Sequence, residues 1–112
     1  MGEDQKEQEI TRPKSVKIAS HTYKIISDNS KECKKRLTEP HELWGLIDAV
    51  EQKIYIDPNI PDERWFATLV HEVFHGFMQF SGLPDTEKTV FLLSNVAFTF
   101  LVENRLLIFD GE

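Results

Sequence analysis

With 112 residues the chain is long enough for one compact domain and too short for two independent cores. Lys plus Arg number 13 against 19 Asp plus Glu, and the resulting net charge of −6 removes the basic footprint that a nucleic-acid partner would demand. The longest apolar-rich stretch, Val90 to Val102, is broken by Ser94, Asn95 and Thr99 and falls short of the roughly 20 residues needed to cross a bilayer, so no membrane role is expected.

In chain order, residues 1–12 hold Glu3, Asp4, Glu7 and Glu9 with almost no apolar content, which predicts a disordered acidic tail ahead of a single domain over 13–112. That stretch has the wrong chemistry for a secretory signal, and a lone cysteine, Cys33, excludes an internal disulfide; together they predict a cytoplasmic protein. Val16 and Ile18, then Tyr23 and Ile25, alternate with lysines and predict a β-hairpin turning at Ser20-His21-Thr22. The polar segment from Ser27 to His41 predicts a loop or short exposed helix, its lysines near Cys33 forming a solvated face. Leu43 to Asp48 and Lys53 to Asp57 predict a second hairpin.

The breaker cluster Asp57 to Asp62 predicts a helix from about Glu63 to Phe80, with Asp62 as its cap. Its apolar stripe is Phe66, Leu69, Val70, Val73, Phe77 and Phe80, and Arg64, Thr68, His71, Glu72, His75 and Gln79 gather on the other side. Ser81 to Asp85 supply a glycine stop, a proline breaker and a new cap for a second helix from about Thr86 to Asn104, antiparallel to the first. That helix is apolar nearly all round, which predicts burial between the first helix and the sheet, closed by Leu106 to Phe109, or homo-oligomerisation through residues 90–102. The fold class expected is α+β, a small antiparallel sheet of two hairpins packed on two long helices.

The chemistry concentrates in His71-Glu72-Val73-Phe74-His75, an H-E-x-x-H pattern inside the first long helix. Four residues advance an α-helix by about 400° and about 6 Å, so both imidazoles share one face and can reach one ion at about 2.0–2.1 Å. Glu72, about 100° away, cannot join them as a ligand but can serve a water on that ion as general base. Gly76 leaves the helix bare where a substrate or a second layer would approach. Catalytic Zn²⁺ takes three protein ligands and one open position. Folding the helices about residues 82 and 83 sets Ser94 or Asn95 opposite His71 and brings Glu87 within about one turn, so Glu87 is the leading third ligand. Asn95, Glu103, His41, Asp48 and Asp57 stand behind it, and His21 and His41 are otherwise surface residues.

From Leu43 onward the chain resembles the small zinc-dependent peptidase-like proteins of phages and prophages, relatives of the ImmA/IrrE metallopeptidase group. The likeness lies in the order of parts: Gly45 to Asp48, Ile54 to Ile56, Thr68 to His75, then Glu87, Val90, Leu93-Ser94 and Glu103-Asn104. It departs at Phe91, where some relatives have a second acid, and at Asn95, where the wider Glu-zincin pattern has a carboxylate. The resemblance implies a reduced zincin fold and zinc-dependent hydrolysis of a specific intracellular protein, such as a repressor-like regulator. Glu72 is then the catalytic base, His71, His75 and Glu87 hold the metal, and the edge of Ile54, Tyr55 and Ile56 aligns an extended peptide. The competing expectation is a zincin-fold module without hydrolysis that acts by binding another protein.

Overall fold

The computed structural model describes residues 11–38 and 42–109. Of the expected tail, residues 1–10 lie outside that range, as does His41. Arg12, placed in the tail by composition, is instead anchored: it donates to the carbonyls of Pro58 and Ile60, pairs with Asp62 at 2.8 Å and lies over the Trp65 ring.

Both hairpins form. Strands β1 (Ser15–Ile18) and β2 (His21–Ile26) pair antiparallel, with Ile18 opposite His21. The turn is thus the two residues Ala19 and Ser20, both at positive φ (51° and 73°) as a tight hairpin between right-twisted strands requires. His21 and Thr22 belong to β2; neither Ala nor Ser carries the Asn-Gly signal that would have marked the turn. Helix α1 (Lys31–Thr38) follows, with its lysines outside and Cys33 and Leu37 inside. Strands β3 (Gly45–Asp48) and β4 (Lys53–Ile56) make the second hairpin. Asp48 accepts the Val50 and Glu51 amides there, both at 3.0 Å, and thereby sets the turn.

The strand order is β1-β2-β4-β3, and β2 with β4 is a parallel pair. The sheet is therefore mixed, which corrects the expected antiparallel one. A parallel neighbour needs a connection of a dozen residues or more, and α1 with β3 supplies it. The order also corrects the docking strand, because β4 is interior, hydrogen-bonded on both sides, with Ile54 and Ile56 at 0% exposure and Tyr55 at 1%. Ile54, Tyr55 and Ile56 offer no edge to a peptide; β1 and β3 are the edge strands.

Alternation along β4 sends Ile54 and Ile56 to one face and Tyr55 to the other. The first face packs with Ile18, Tyr23 and Ile25 against Trp65, Phe66 and Leu69 of helix α2 (Asp62–Ser81). The second joins Ile26, Cys33 and Leu37 under α1. Helix α2 starts after Pro61 without a side-chain cap, because Asp62, the expected cap, is already its first helical residue and pairs with Arg12, and it ends at Gly82 in the left-handed conformation (φ 73°) that glycine adopts freely. Twenty residues span about 30 Å while a four-residue strand spans about 13 Å, so the last turns overhang the sheet. Phe77 and Phe80, expected in the core, are exposed for that reason, and Phe80 leans on the His21 ring.

Helix α3 (Glu87–Glu103) runs back along α2, capped by Thr86, whose hydroxyl accepts the Thr89 amide, rather than by Asp85. It does not lie between α2 and the sheet. Among the described residues α2 is its one substantial neighbour, and only Val90 and Ser94 are fully buried; Phe98 and Val102 touch the core edge beside Phe109. Leu92, Leu93, Val96 and Phe100 face outward, and so does Leu106, while Phe91, also exposed, lies on the side that meets α2. No helix among the described residues is long and apolar enough to cross a membrane.

Candidate metal centre

Helical spacing sets the His71 and His75 rings 4.9 Å apart, centroid to centroid, on the side of α2 that meets α3. Thr86 fixes the start of α3, so Glu87 falls in its first turn and reaches across: Oε1 lies 3.2 Å from His71 Nε2, and Oε2 lies 2.9 Å from His75 Nε2. Ligating atoms of His71, His75 and Glu87 all lie within 4.8 Å of one another, and this group could hold a metal ion. The donor set fits: three atoms each about 2.1 Å from a tetrahedral centre stand about 3.4 Å apart, and the two imidazole–Glu87 distances, 3.2 and 2.9 Å, lie near that value. The two histidine side chains are mostly covered while Glu87 is 79% exposed, so the group opens toward solvent on its carboxylate side.

That side is a cleft of about 620 Å³ between α2, α3 and the start of β3. Trp44, Gly45 and Thr68 line it with His71, Glu72 and Glu87, and Phe91 and Asn95 form its α3 wall. Arg64 lies over the Trp44 ring, 4.3 Å from its centre, at the mouth. Glu72 shares the cleft but not the donor cluster, and only 7% of it is exposed. Burial pushes its pKa up to about 7; the charges of Glu87 and Asp85 add to the rise, against His75 and the Ile47 backbone. For His75, burial favours the neutral ring. The Asp85 hydrogen bond and the carboxylates of Glu72 and Glu87 outweigh it and hold the pKa above the ordinary value.

The two nearby glycines do different work. A Cβ on Gly45 would sit 2.5 Å from the Thr68 methyl and 3.2 Å from Glu72 Cγ, so β3 approaches α2 right beside the buried acid. At Gly76 the second layer that comes close is the sheet, through Ile18 and Ile47.

Of the residues considered behind Glu87, Asn95 lines the cleft. Asp48 is engaged with Arg36 and its own turn, and Asp57 with the Asn59 amide. Neither they nor Glu103 join the cluster. Two further contacts bear on the histidines, and one of them, from Asp85, escaped sequence reasoning. Asp85 Oδ1 lies 2.6 Å from His75 Nδ1, and Ser94 Oγ lies 3.3 Å from His71 Nδ1. Antiparallel helix pairing put Ser94 opposite His71, but Asp85 reads as a helix cap, and only the loop conformation turns it back to α2. Compared with protein-family models, curated proteins and solved structures, the chain matches none.

Proposed function

We propose that the protein is a zinc-dependent peptidase acting on a specific intracellular protein. The observation that carries this reading is the convergence of two imidazole Nε2 atoms and the two Glu87 oxygens in an open cleft beside the buried Glu72 carboxyl. Two histidines and a glutamate are a catalytic zinc donor set that leaves a position for water. Zinc held by His71, His75 and Glu87 would supply a water acidified toward a pKa of about 7 and a Lewis acid for a carbonyl. Glu72 takes the proton that the attacking water gives up and returns it to the departing amine nitrogen, a role suited to a buried carboxyl that lines the same cleft. Edge strand β3 enters the cleft at Gly45 and is the strand available to align an extended peptide, in place of β4. The likeness in order of parts to the ImmA/IrrE group supports the same reading.

Measured zinc stoichiometry and peptide cleavage test it. The wild type binds one zinc, and Glu72→Gln keeps the metal while losing about 10²–10⁴ in turnover. A chain that takes up no zinc, or whose cleavage survives Glu72→Gln, refutes the enzyme. A second reading, a module that binds protein without hydrolysis, draws on the outward apolar residues of α3, which also suit contact with another copy of the chain. It predicts zinc binding without turnover.

A further inference from the structure

Each imidazole has two nitrogens, and only one neutral tautomer leaves the lone pair where a cation could take it. We infer that Asp85 and Ser94 are positioning residues that hold His75 and His71 with the proton on Nδ1, so that both Nε2 lone pairs converge beside Glu87. This rests on reading His71, His75 and Glu87 as a metal site, and it is independent of hydrolysis.

For His75 the two ends of the ring compete. Asp85 Oδ1 is 2.6 Å from Nδ1 and Glu87 Oε2 is 2.9 Å from Nε2, and a carboxylate can only accept. Were the ring proton on Nε2, a bare Nδ1 would face a carboxylate oxygen at 2.6 Å, two acceptors pressed together in a half-buried position. The shorter contact takes the proton. Asp85 is itself fixed, because Gln79, one turn beyond His75 on α2, donates to its other oxygen at 2.9 Å.

At His71 a single hydroxyl proton, that of Ser94, sets the choice. Ser94 is buried and donates to the Phe91 carbonyl at 3.2 Å on its own helix, which leaves its oxygen as an acceptor toward His71 Nδ1. With its hydroxyl proton on the Phe91 carbonyl, Ser94 accepts the Nδ1 proton. The competing arrangement, Nε2–H toward Glu87 Oε1 at 3.2 Å with Ser94 donating to Nδ1, gives up the Phe91 bond and is the outcome that spectra would detect as Nε2–H. Nδ1–H on both rings leaves both Nε2 atoms bare, and these are the atoms nearest the Glu87 oxygens. Asp85, Thr86 and Glu87 thus act in succession: one residue orients a ligand, the next caps the helix, and the third is a ligand itself.

Long-range ¹H–¹⁵N spectra of the metal-free protein, at a pH where both rings are neutral, read the tautomers without any metal. The expected result is Nδ1–H for both. In Asp85→Asn the Gln79 amide still seeks an oxygen, which turns the new NH₂ toward His75 Nδ1 and inverts the tautomer. Zinc affinity, measured by competition with a chromophoric chelator, then falls about 10–100-fold. Ser94→Ala changes the His71 signal alone and weakens zinc by less than about tenfold. Nε2–H on either ring of the wild type, or unchanged zinc affinity in a folded Asp85→Asn, overturns the inference. If Asp85→Asn does not fold, the wild-type spectrum decides. Nδ1–H rings in a protein that fails to bind zinc would sink the metal reading while upholding the tautomer assignment.

Discussion

In the groove between α2 and α3, Thr68, Glu72, His75 and Ser94 are buried, whereas on the far side of α3 the side chains of Leu92, Leu93, Val96 and Phe100 face outward. Polar groups inside and apolar groups outside reverse the ordinary distribution, and the two halves have different causes. Inside, among the described residues, no buried side-chain nitrogen or oxygen lacks a hydrogen-bond partner. The hydrogen bonds of Thr68, His75 and Ser94 each offset a desolvation cost of about 1–3 kcal/mol, whereas Glu72 carries part of that cost as its raised pKa. Outside, a helix apolar nearly all round has one substantial neighbour and can cover only one of its sides. Burial here follows topology more than residue type, and a polar interior of this kind is what chemistry at a site requires.

The sharpest way to break that contrast is pH. In the metal-free protein both Glu72 and His75 have raised pKa values. A raised group contributes its stability fully below its unfolded pKa and loses it as pH climbs through the folded value. The metal-free fold should therefore weaken between pH 4.5, the ordinary glutamate value, and about 7, where the buried Glu72 ionises. The Glu72 part amounts to about 3 kcal/mol at most. Urea unfolding at pH 5 and pH 8 measures the two contributions together, and Glu72→Gln should leave only the His75 part.

A second pair of substitutions compares the two tight approaches of the sheet to α2. Gly45→Ala meets the Thr68 methyl, which cannot rotate away because the hydroxyl of the same side chain is bonded to the Arg64 carbonyl at 2.8 Å. The expected loss is about 1–3 kcal/mol in thermal or chemical unfolding, with the cleft distorted beside Glu72. Gly76→Ala meets the flexible ends of Ile18 and Ile47 and gains about 1 kcal/mol of helix propensity, so it should fall within about 1 kcal/mol of the wild type.

The mildest test stays within α3. Val90 is 0% exposed and Val96 is 69% exposed. Val90→Ala removes two buried methyl groups and should cost about 1.6 kcal/mol or somewhat more, while Val96→Ala should change stability by less than about 0.5 kcal/mol. Equal losses at the two positions, measured by denaturant midpoint, would mean that another surface covers α3 in solution.

Local signals made a good part of this legible in advance. Alternation announced the first hairpin and two short β-rich runs the second, the Gly82 stop and the Pro84 breaker divided the helices, and the four-residue spacing of His71 and His75 with an antiparallel return made Glu87 the leading partner. Each of these is short-range or follows from one fold-back. The tight turn at Ala19-Ser20 stayed hidden because it uses residues without the usual turn chemistry. Likewise Asp85 carries a capping signature that its loop does not use, so its bond to His75 had no sequence mark.

The sequence by itself determined the two hairpins and the two long helices to within a few residues, that two imidazoles and one carboxylate come from facing helices, and that an acid stands between the histidines in the chain. These depend on backbone periodicity and on side-chain chemistry within a turn or two. Tertiary structure alone decided that β4 is interior and β3 the free edge, that α3 lies outside α2 rather than beneath it, and which partner each ring nitrogen faces. Those outcomes hinge on which strand pairs with which across long connections, and on the angle at which a loop returns, where competing arrangements of the same pattern differ only in long-range packing.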